Sequence, residues 1–166
     1  MKSGVKVTAD NADSIIDAIT RLSGMDVLVG IPEGNAAREG GKLNNAEIGY
    51  LQSTGATVEI DGEVVTLPPR PFLDIGIEDT QTRTTAHLKA AAELALEGNA
   101  AGAERELERA GIIASDGAKK VISDGDRLAP LSENTLEKRR ANGLPGEKPL
   151  YAHGYLLRSI TYVVRK

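Results

Sequence analysis

The chain has 166 residues, of which 40% are hydrophobic and only 3% aromatic, and its formal net charge at pH 7 is −4. Its length predicts one domain over residues 1–166, because domains commonly contain about 100–150 residues. The acidic balance argues against a sequence-independent nucleic-acid-binding protein, which needs a dense basic surface. The chain has no cysteine, which excludes disulfides, thiolate zinc sites and cysteine nucleophiles.

The first third of the chain predicts two short strands around a helix. Residues 2–8 alternate weakly in polarity and predict a short edge strand. Residues 10–23 predict a helix and residues 25–31 predict a strand that Pro32 ends. The apolar side chains of the helix fall on one face: Ile15, Ile16, Ile19 and Leu22.

Residues 33–43, the glycine-rich loop, are polar, contain three glycines and show no regular pattern of secondary structure. A phosphate-binding P-loop needs four residues between its first glycine and the Gly-Lys pair, followed by Ser or Thr. Here Gly34 lies too far before Gly41, and Leu43 follows Lys42. We therefore expect a surface loop, and we single out Arg38 and Lys42 as candidate assembly contacts. The alternative is a small ligand-binding or regulatory module that uses this loop.

A short helix and a hairpin are predicted next. Residues 44–55 predict a helix with an asparagine cap and a terminal glycine. Residues 57–67 predict a β-hairpin, because Asp61 and Gly62 form a two-residue turn between β-branched residues. The exposed tip makes Asp61, Gly62 and Glu63 further candidate assembly contacts.

The second half of the chain is mostly helical by pattern. Helices are predicted over residues 79–97, with Asp79 as the cap, over residues 99–123, and over residues 132–143. A break is expected near Gly111 or Gly117, because glycine destabilises a helix interior by up to about 1 kcal/mol. The chain closes with one predicted helical turn over residues 153–159 and a strand over residues 160–165.

These elements predict an α+β fold, in which a small antiparallel sheet with a projecting β-hairpin packs against two or three α-helices. No window approaches the roughly 18 apolar residues of a membrane span, and the N-terminal residues lack the apolar segment of a signal peptide. We therefore expect no membrane partner.

The sequence shows no catalytic constellation, so we expect a protein that is not an enzyme and has no catalytic residue, metal ion or cofactor. His87 and His153 are predicted to be a surface helix residue and a turn residue. The basic cluster Lys138–Arg140 follows Glu133 and Glu137, which predicts a mixed, solvated helix face.

The stretch "LPPRPFLDIGIE" at residues 67–78 predicts a rigid turn, which we call the proline corner. Prolines fix φ near −65° and favour an extended residue before them. The prediction places the one phenylalanine in the core and directs the arginine away from it by strand alternation, where its donors satisfy backbone carbonyls or a carboxylate of a neighbouring subunit. The residues of this corner are Pro69, Arg70, Pro71, Phe72 and Leu73.

Four segments taken together resemble a known group of proteins. "AEIGYLQSTGA" followed by "LPPRPFLDIGIE" resembles a short helix ending in Glu-Phe-Gly-Thr and then Pro-x-Arg-Pro-Phe-Leu. "APLSENTLEKRRANG" and "KPLYAHGYLLRSITYVV" resemble the closing pattern of the same group. Order and spacing are similar across roughly residues 25–164 to the tail-completion proteins of long-tailed bacteriophages and Mu-like virion morphogenesis proteins.

The resemblance implies a structural virion protein at the head–tail junction or the tail end, without catalysis. It implies other head–tail or tail proteins as partners, a homo-oligomeric ring, and DNA that passes through without specific binding. It also implies location in the virion, and in the host cytoplasm during assembly. A tail terminator or head–tail adaptor subunit is the alternative within the same class.

Overall fold

The computed structural model describes residues 11–60, 62–144 and 146–165. Six α-helices and four short strands lie within these ranges, which confirms the predicted α+β class. The helices are α1 Ala12–Ser23, α2 Asn45–Thr54, α3 Phe72–Leu96, α4 Ala100–Asp124, α5 Glu133–Ala141 and α6 Tyr155–Ser159. The strands are β1 Asp26–Gly30, β2 Ala56–Ile60, β3 Glu63–Leu67 and β4 Thr161–Arg165. The strand predicted over residues 2–8 lies outside the described residues.

Helices α3 and α4, each of 25 residues, pack against each other along their length and form the body of the fold. Their closest approach is at Gly76, where an added Cβ would lie 2.3 Å from the backbone nitrogen of Ala118. All six residues that the sequence placed on one face of α4 are buried, which confirms that prediction: Ala103, Leu107, Ala110, Ala114, Ala118 and Val121.

The predicted break in α4 does not occur, because the helix runs through both glycines without interruption. Each glycine instead makes room for a neighbour. An added Cβ on Gly111 would lie 2.3 Å from the ring of Tyr162, and one on Gly117 would lie 2.6 Å from the carbonyl oxygen of Gly76. Close packing therefore requires glycine at both positions, and this packing outweighs the low helix propensity of glycine.

Strands β1 and β4 form an antiparallel pair that packs on α4. Val27 and Val164 face inward and contact the cluster around Leu107. Leu28 and Val163 are paired in register on the opposite face, and both are exposed. The outer face of this small sheet therefore exposes an apolar pair beside the ion pair of Asp26 and Arg165.

Strands β2 and β3 form a second antiparallel pair, with Val58 opposite Val65 and Glu59 opposite Val64. This is the predicted hairpin. None of its described residues is buried, and Val64 is 76% exposed. Gly62 in the turn has φ +82°, a conformation that favours glycine. The hairpin stands out from the body of the fold, as predicted.

Helix α1 forms where the sequence predicts it, but the described part of the chain buries none of its residues. An amphipathic helix normally packs its apolar face against a core. Ile15, Ile16 and Ile19 are instead 44%, 58% and 53% exposed. This helix therefore offers an apolar surface in a single copy of the chain.

Candidate functional site

The proline corner leads directly into α3, which begins at Phe72. The prediction that this helix starts at residue 79 with Asp79 as its cap is wrong. Pro71 stands before the first helical residue with φ −77°, close to the helical value, so it prepares the chain for the helix. Asp79 lies inside the helix, and its carboxylate is 2.5 Å from a guanidinium nitrogen of Arg127.

The prediction that Phe72 enters the core is confirmed. Its side chain is 0% exposed and belongs to the cluster that includes Ile122, Leu156 and Ile160. Leu73 is partly buried against the same cluster. The first turn of α3 is thus fixed by the largest side chain in the core.

Arg70 is buried, with 4% exposure, and its guanidinium group joins three separate segments. Nε donates to the carbonyl oxygen of Ala129 at 2.6 Å, and Nη2 donates to that of Pro130 at 2.8 Å. Nη1 donates to the side-chain oxygen of Gln52 at 2.8 Å. The expectation that this arginine satisfies backbone carbonyls is confirmed, whereas the strand alternation used to orient it is wrong, because the chain turns into a helix at Phe72.

The backbone strengthens the same junction, since the Arg70 amide donates to the carbonyl oxygen of Gln52 at 2.7 Å. The end of α2, the start of α3 and residues 129–130 are therefore held together by one residue. Burial, and then the nearby charge of Arg139, lower the pKa of Arg70 below its ordinary value. The guanidinium remains charged at neutral pH, because arginine titrates far above that range.

A groove of about 580 Å³ opens beside this junction, and we call it the arginine groove. It lies between the base of the hairpin, the start of α5 and the turn before α6. Its lining includes no aspartate or glutamate side chain among the described residues. The polar and basic side chains that line it are Arg38, Gln52, Thr66, Arg70, Ser132, Thr135, Arg139 and His153.

The glycine-rich loop supplies Arg38 to this groove. The guanidinium carbon of Arg38 lies 5.6 Å from the centroid of the Tyr155 ring, and that of Arg158 lies 5.1 Å from it. The loop is anchored at its start, because Ala36 is buried and its carbonyl oxygen accepts from the Asn45 amide at 2.8 Å. A short turn of 3-10 helix, Glu33–Asn35, precedes this anchor.

The five predicted assembly contacts are not all in one place. Arg38 is exposed and lines the arginine groove, whereas Lys42 is exposed and does not line it. Gly62 and Glu63 are exposed at the tip of the hairpin, whose base lines the groove. Asp61 lies outside the described residues. The structure thus places Arg38 in the groove, Gly62 and Glu63 at the hairpin tip, and Lys42 on the surface outside both.

Sequence reasoning missed Arg139, which was assigned to a solvated helix face. Its Nη1 donates to the carbonyl oxygens of Gly146, Lys148 and Tyr151 at 3.1–3.4 Å. Burial lowers its pKa below the ordinary value. The spacing contained a signal, because Arg139 lies three residues after Leu136 and therefore on the same, partly buried face of α5.

The two histidines lie in different surroundings. His87 Nδ1 lies 2.6 Å from Glu106 Oε2, and Arg109 pairs with the same carboxylate. The hydrogen bond from His87 is the main cause that lowers the pKa of Glu106. His153 is exposed, and its ring centroid lies 5.5 Å from that of Tyr155. The first contact clamps α3 to α4, and the second belongs to the rim of the groove.

No group of three or more His, Cys, Asp or Glu side chains in the described ranges is arranged to hold a metal ion. None of the helices described is both long and apolar enough to cross a membrane.

No protein-family model matches this chain, and no curated protein or solved structure matches it either. The resemblance to phage tail-completion proteins therefore depends on the sequence motifs alone. The function proposed for this chain also depends on the geometry of the corner, the groove and the hairpin.

Proposed function

We propose that this chain is a structural subunit of a multi-copy assembly, in which the hairpin acts as a contact arm held by a rigid base. The observation that carries the proposal is the contrast at the proline corner. Arg70 is buried and fully engaged, while the hairpin that ends next to it has no buried described residue. A stiffly anchored, exposed arm is suited to contact with another chain.

The extent of the surface supports the same proposal. The chain exposes 11152 Å², whereas a compact monomer of 17.5 kDa exposes about 7,900 Å². The 13 residues outside the described ranges account for at most about 2,000 Å², since an unfolded chain exposes roughly 1.45 Å² per dalton. The remaining excess is comparable with the roughly 800 Å² that each partner buries in a standard interface.

The apolar side chains on this surface add a further argument. Three exposed isoleucines lie on α1, one exposed pair lies on the outer face of the β1–β4 sheet, and one exposed valine lies on the hairpin. A contiguous apolar patch, such as the isoleucines of α1 form, marks interaction sites in soluble proteins. The members named above are Ile15, Ile16, Ile19, Leu28, Val64 and Val163.

We propose further that the assembly is a ring in the virion of a tailed phage or prophage, at the head–tail junction or the tail end. This placement follows from the motif resemblance. The partners are other head–tail or tail proteins, and the subunit has no catalytic role. The acidic net charge of −4 suits a channel wall along which DNA slides without specific binding.

The test is deletion of the gene from the phage or prophage genome that carries it, followed by negative-stain electron microscopy of the induced lysate. The proposal predicts separate DNA-filled heads and free tails, or tails of abnormal length. Defects confined to the tail end would favour a tail terminator over a junction protein or head–tail adaptor. Normal numbers of infectious particles would remove the protein from virion assembly.

One observation favours a second candidate, a module that binds a small anion. Arg38, Arg70 and Arg139 line a groove without a carboxylate among its described lining residues. Arg38 comes from the glycine-rich loop, which is the element that the alternative ligand-binding interpretation uses. The measurement is a thermal-shift series with inorganic phosphate and nucleotides at fixed ionic strength. A saturable rise in the melting midpoint that Arg38→Ala abolishes would support this candidate.

A further inference from the structure

The arginine groove contains positive charge that the described part of the chain leaves unneutralised. Arg38 makes no hydrogen bond or ion pair with the described residues, and its guanidinium group lies over the Tyr155 ring. Arg139 donates through Nη1 alone, and its Nε and Nη2 make no hydrogen bond within those ranges. Arginine presents five N–H donors that match carboxylate oxygens, so several donors in this groove are available for an anionic partner.

The start of α5 adds to the positive potential of the groove. Ser132 caps this nine-residue helix, its side chain accepting from the amide of Thr135, and both residues line the groove. The N-terminus of a helix carries a partial positive charge, which favours a nearby carboxylate. The first acidic residue of the helix, Glu133, pairs with Arg140 and is not part of the lining.

The hairpin has the opposite character. Residues 56–67 contain three acidic residues, Glu59, Asp61 and Glu63, and no basic residue. Glu59 and Glu63 are exposed and take part in no ion pair within the described ranges. Glu59 lies opposite Val64 on the same face of the hairpin, and Glu63 precedes Val64 on the other face. Val64 is 76% exposed, so the tip combines negative charge with an apolar side chain. A groove lined by arginines and by Leu67, Leu131 and Leu150 is complementary to such a tip.

The hairpin does not fill the groove of its own chain. Val65, Thr66 and Leu67 at its base line the groove, and the strands continue from there to the turn at Gly62. A five-residue strand spans about 16 Å, and the paired strands hold the tip away from the base. The tip is therefore free to meet a groove on another molecule.

We propose that the hairpin tip of one copy of this chain docks in the arginine groove of a second copy. The docked tip places Glu59 and Glu63 near Arg38, Arg139 and the start of α5, and it covers Val64. The two surfaces differ, so the contact is head-to-tail, and it closes into a ring when the rotation between copies divides a full turn. This inference rests on the proposed role as an assembly subunit, and it names the partner of the hairpin.

The absence of cysteine makes a direct test available, because introduced thiols are the only ones in the chain. Val64→Cys places a thiol at the hairpin tip, and Ala152→Cys places one in the groove, at an exposed alanine. Ala101→Cys, an exposed alanine on α4 that does not line the groove, is the matched control. One member of each pair is labelled with ¹⁵N, and a short bismaleimide links neighbouring thiols. Mass spectrometry then counts mixed dimers.

We expect mixed dimers of Val64→Cys with Ala152→Cys to exceed those with Ala101→Cys at least about tenfold, which corresponds to about 1.4 kcal/mol of preference. Arg38→Glu in the groove partner lowers the yield to the control level. Glu59→Lys with Glu63→Lys in the hairpin partner does the same. Combining the Arg38→Glu groove partner with the hairpin partner that carries both lysines restores the preference for Ala152→Cys. Without these charge reversals, added salt weakens that preference.

Equal yields of mixed dimers with Ala152→Cys and with Ala101→Cys would overturn the proposed docking, whether the chain is tested alone or in assembled particles. Sedimentation of the unmodified chain separates this failure from failure of the proposed function. Oligomers without a cross-linking preference leave the assembly role intact and move the contact elsewhere. Saturable phosphate binding at Arg38 without the preference also overturns the docking, and it assigns the groove to a small anion.

Discussion

The proline corner and the hairpin are adjacent in the chain and opposite in character. At the corner, Phe72 is 0% exposed and Arg70 donates three side-chain hydrogen bonds, two to residues 129–130 and one to Gln52. In the hairpin, no described residue is buried. The two regions meet at Leu67 and differ in where their stabilising contacts come from. The corner is stabilised by contacts within one chain, and the hairpin is expected to gain its contacts from another.

The largest loss of stability is expected from Phe72→Ala. Truncating a buried phenylalanine removes transfer free energy and leaves a cavity, at a cost of about 3–5 kcal/mol. Urea denaturation followed by circular dichroism measures the change. Ile77→Ala on the same helix is the control, because Ile77 is 41% exposed and should cost much less. An unchanged unfolding midpoint for Phe72→Ala would contradict the account of the corner.

Arg70→Met should have the second-largest effect and lower the free energy of unfolding by about 2–4 kcal/mol. Methionine fills much of the volume but removes the donors to the carbonyl oxygens of Ala129 and Pro130, and a hydrogen bond from a charged group contributes about 1.5–3 kcal/mol. The control is Arg127→Met, which removes an exposed ion pair with Asp79 and should cost at most about 1 kcal/mol. Equal losses for the two variants would show that Arg70 is not a special anchor.

Gly76→Ala tests the closeness of α3 and α4, and we expect a loss of about 1–3 kcal/mol from overpacking. The added Cβ meets the backbone of Ala118, which cannot move aside as a flexible side chain can. Gly34→Ala is the control, since nothing lies within 4 Å of its added Cβ. A gain in stability for Gly76→Ala, as helix propensity alone predicts, would mean that the helices lie further apart.

The clamp between His87 and Glu106 predicts a dependence on pH. The pKa of Glu106 is lowered in the folded chain, so its contribution is complete above the ordinary carboxyl pKa and is lost as pH falls through the folded value. Melting curves from pH 7 to pH 3 should show wild type exceeding Glu106→Gln near neutrality and converging with it in acid. Glu108→Gln, at an exposed position of the same helix, should show no such convergence.

The smallest effect on stability is expected at the hairpin. Val64→Ser changes an exposed side chain and should alter the free energy of unfolding by no more than about 0.5 kcal/mol. Its effect should appear in association instead, as a lower oligomer fraction in sedimentation velocity. A variant that both folds and associates like wild type would mean that Val64 is not at an interface.

The sequence predicted those parts of the fold that local pattern determines. The buried face of α4 follows from the regular spacing of alanine, leucine and valine, and the hairpin follows from its Asp-Gly turn. The predicted start of α3 was wrong because the apolar residues of this stretch alternate almost as they do in a strand: Phe72, Leu73, Ile75 and Ile77. A short apolar run fits the period of a helix as well as that of a strand. Pro71 at the helix boundary was the available signal.

The candidate site was less accessible from the sequence, because its contacts join distant segments. Arg70 reaches carbonyl oxygens 59 and 60 residues away, and no local pattern specifies such partners. The resemblance pointed to the corner without showing what it anchors. The same limit applies to α1, because an amphipathic pattern predicts that one face is buried but does not show which chain buries it.

The most direct test of the central claim is complementation of the gene deletion with a chain that lacks the hairpin arm. Residues 57–66 are replaced by a short glycine linker, and the melting midpoint is measured first to establish that the body still folds. The account predicts that the wild-type chain restores joined, infectious particles, whereas the folded hairpin-less chain leaves heads and tails separate. Full restoration of infectious particles by the hairpin-less chain would contradict it.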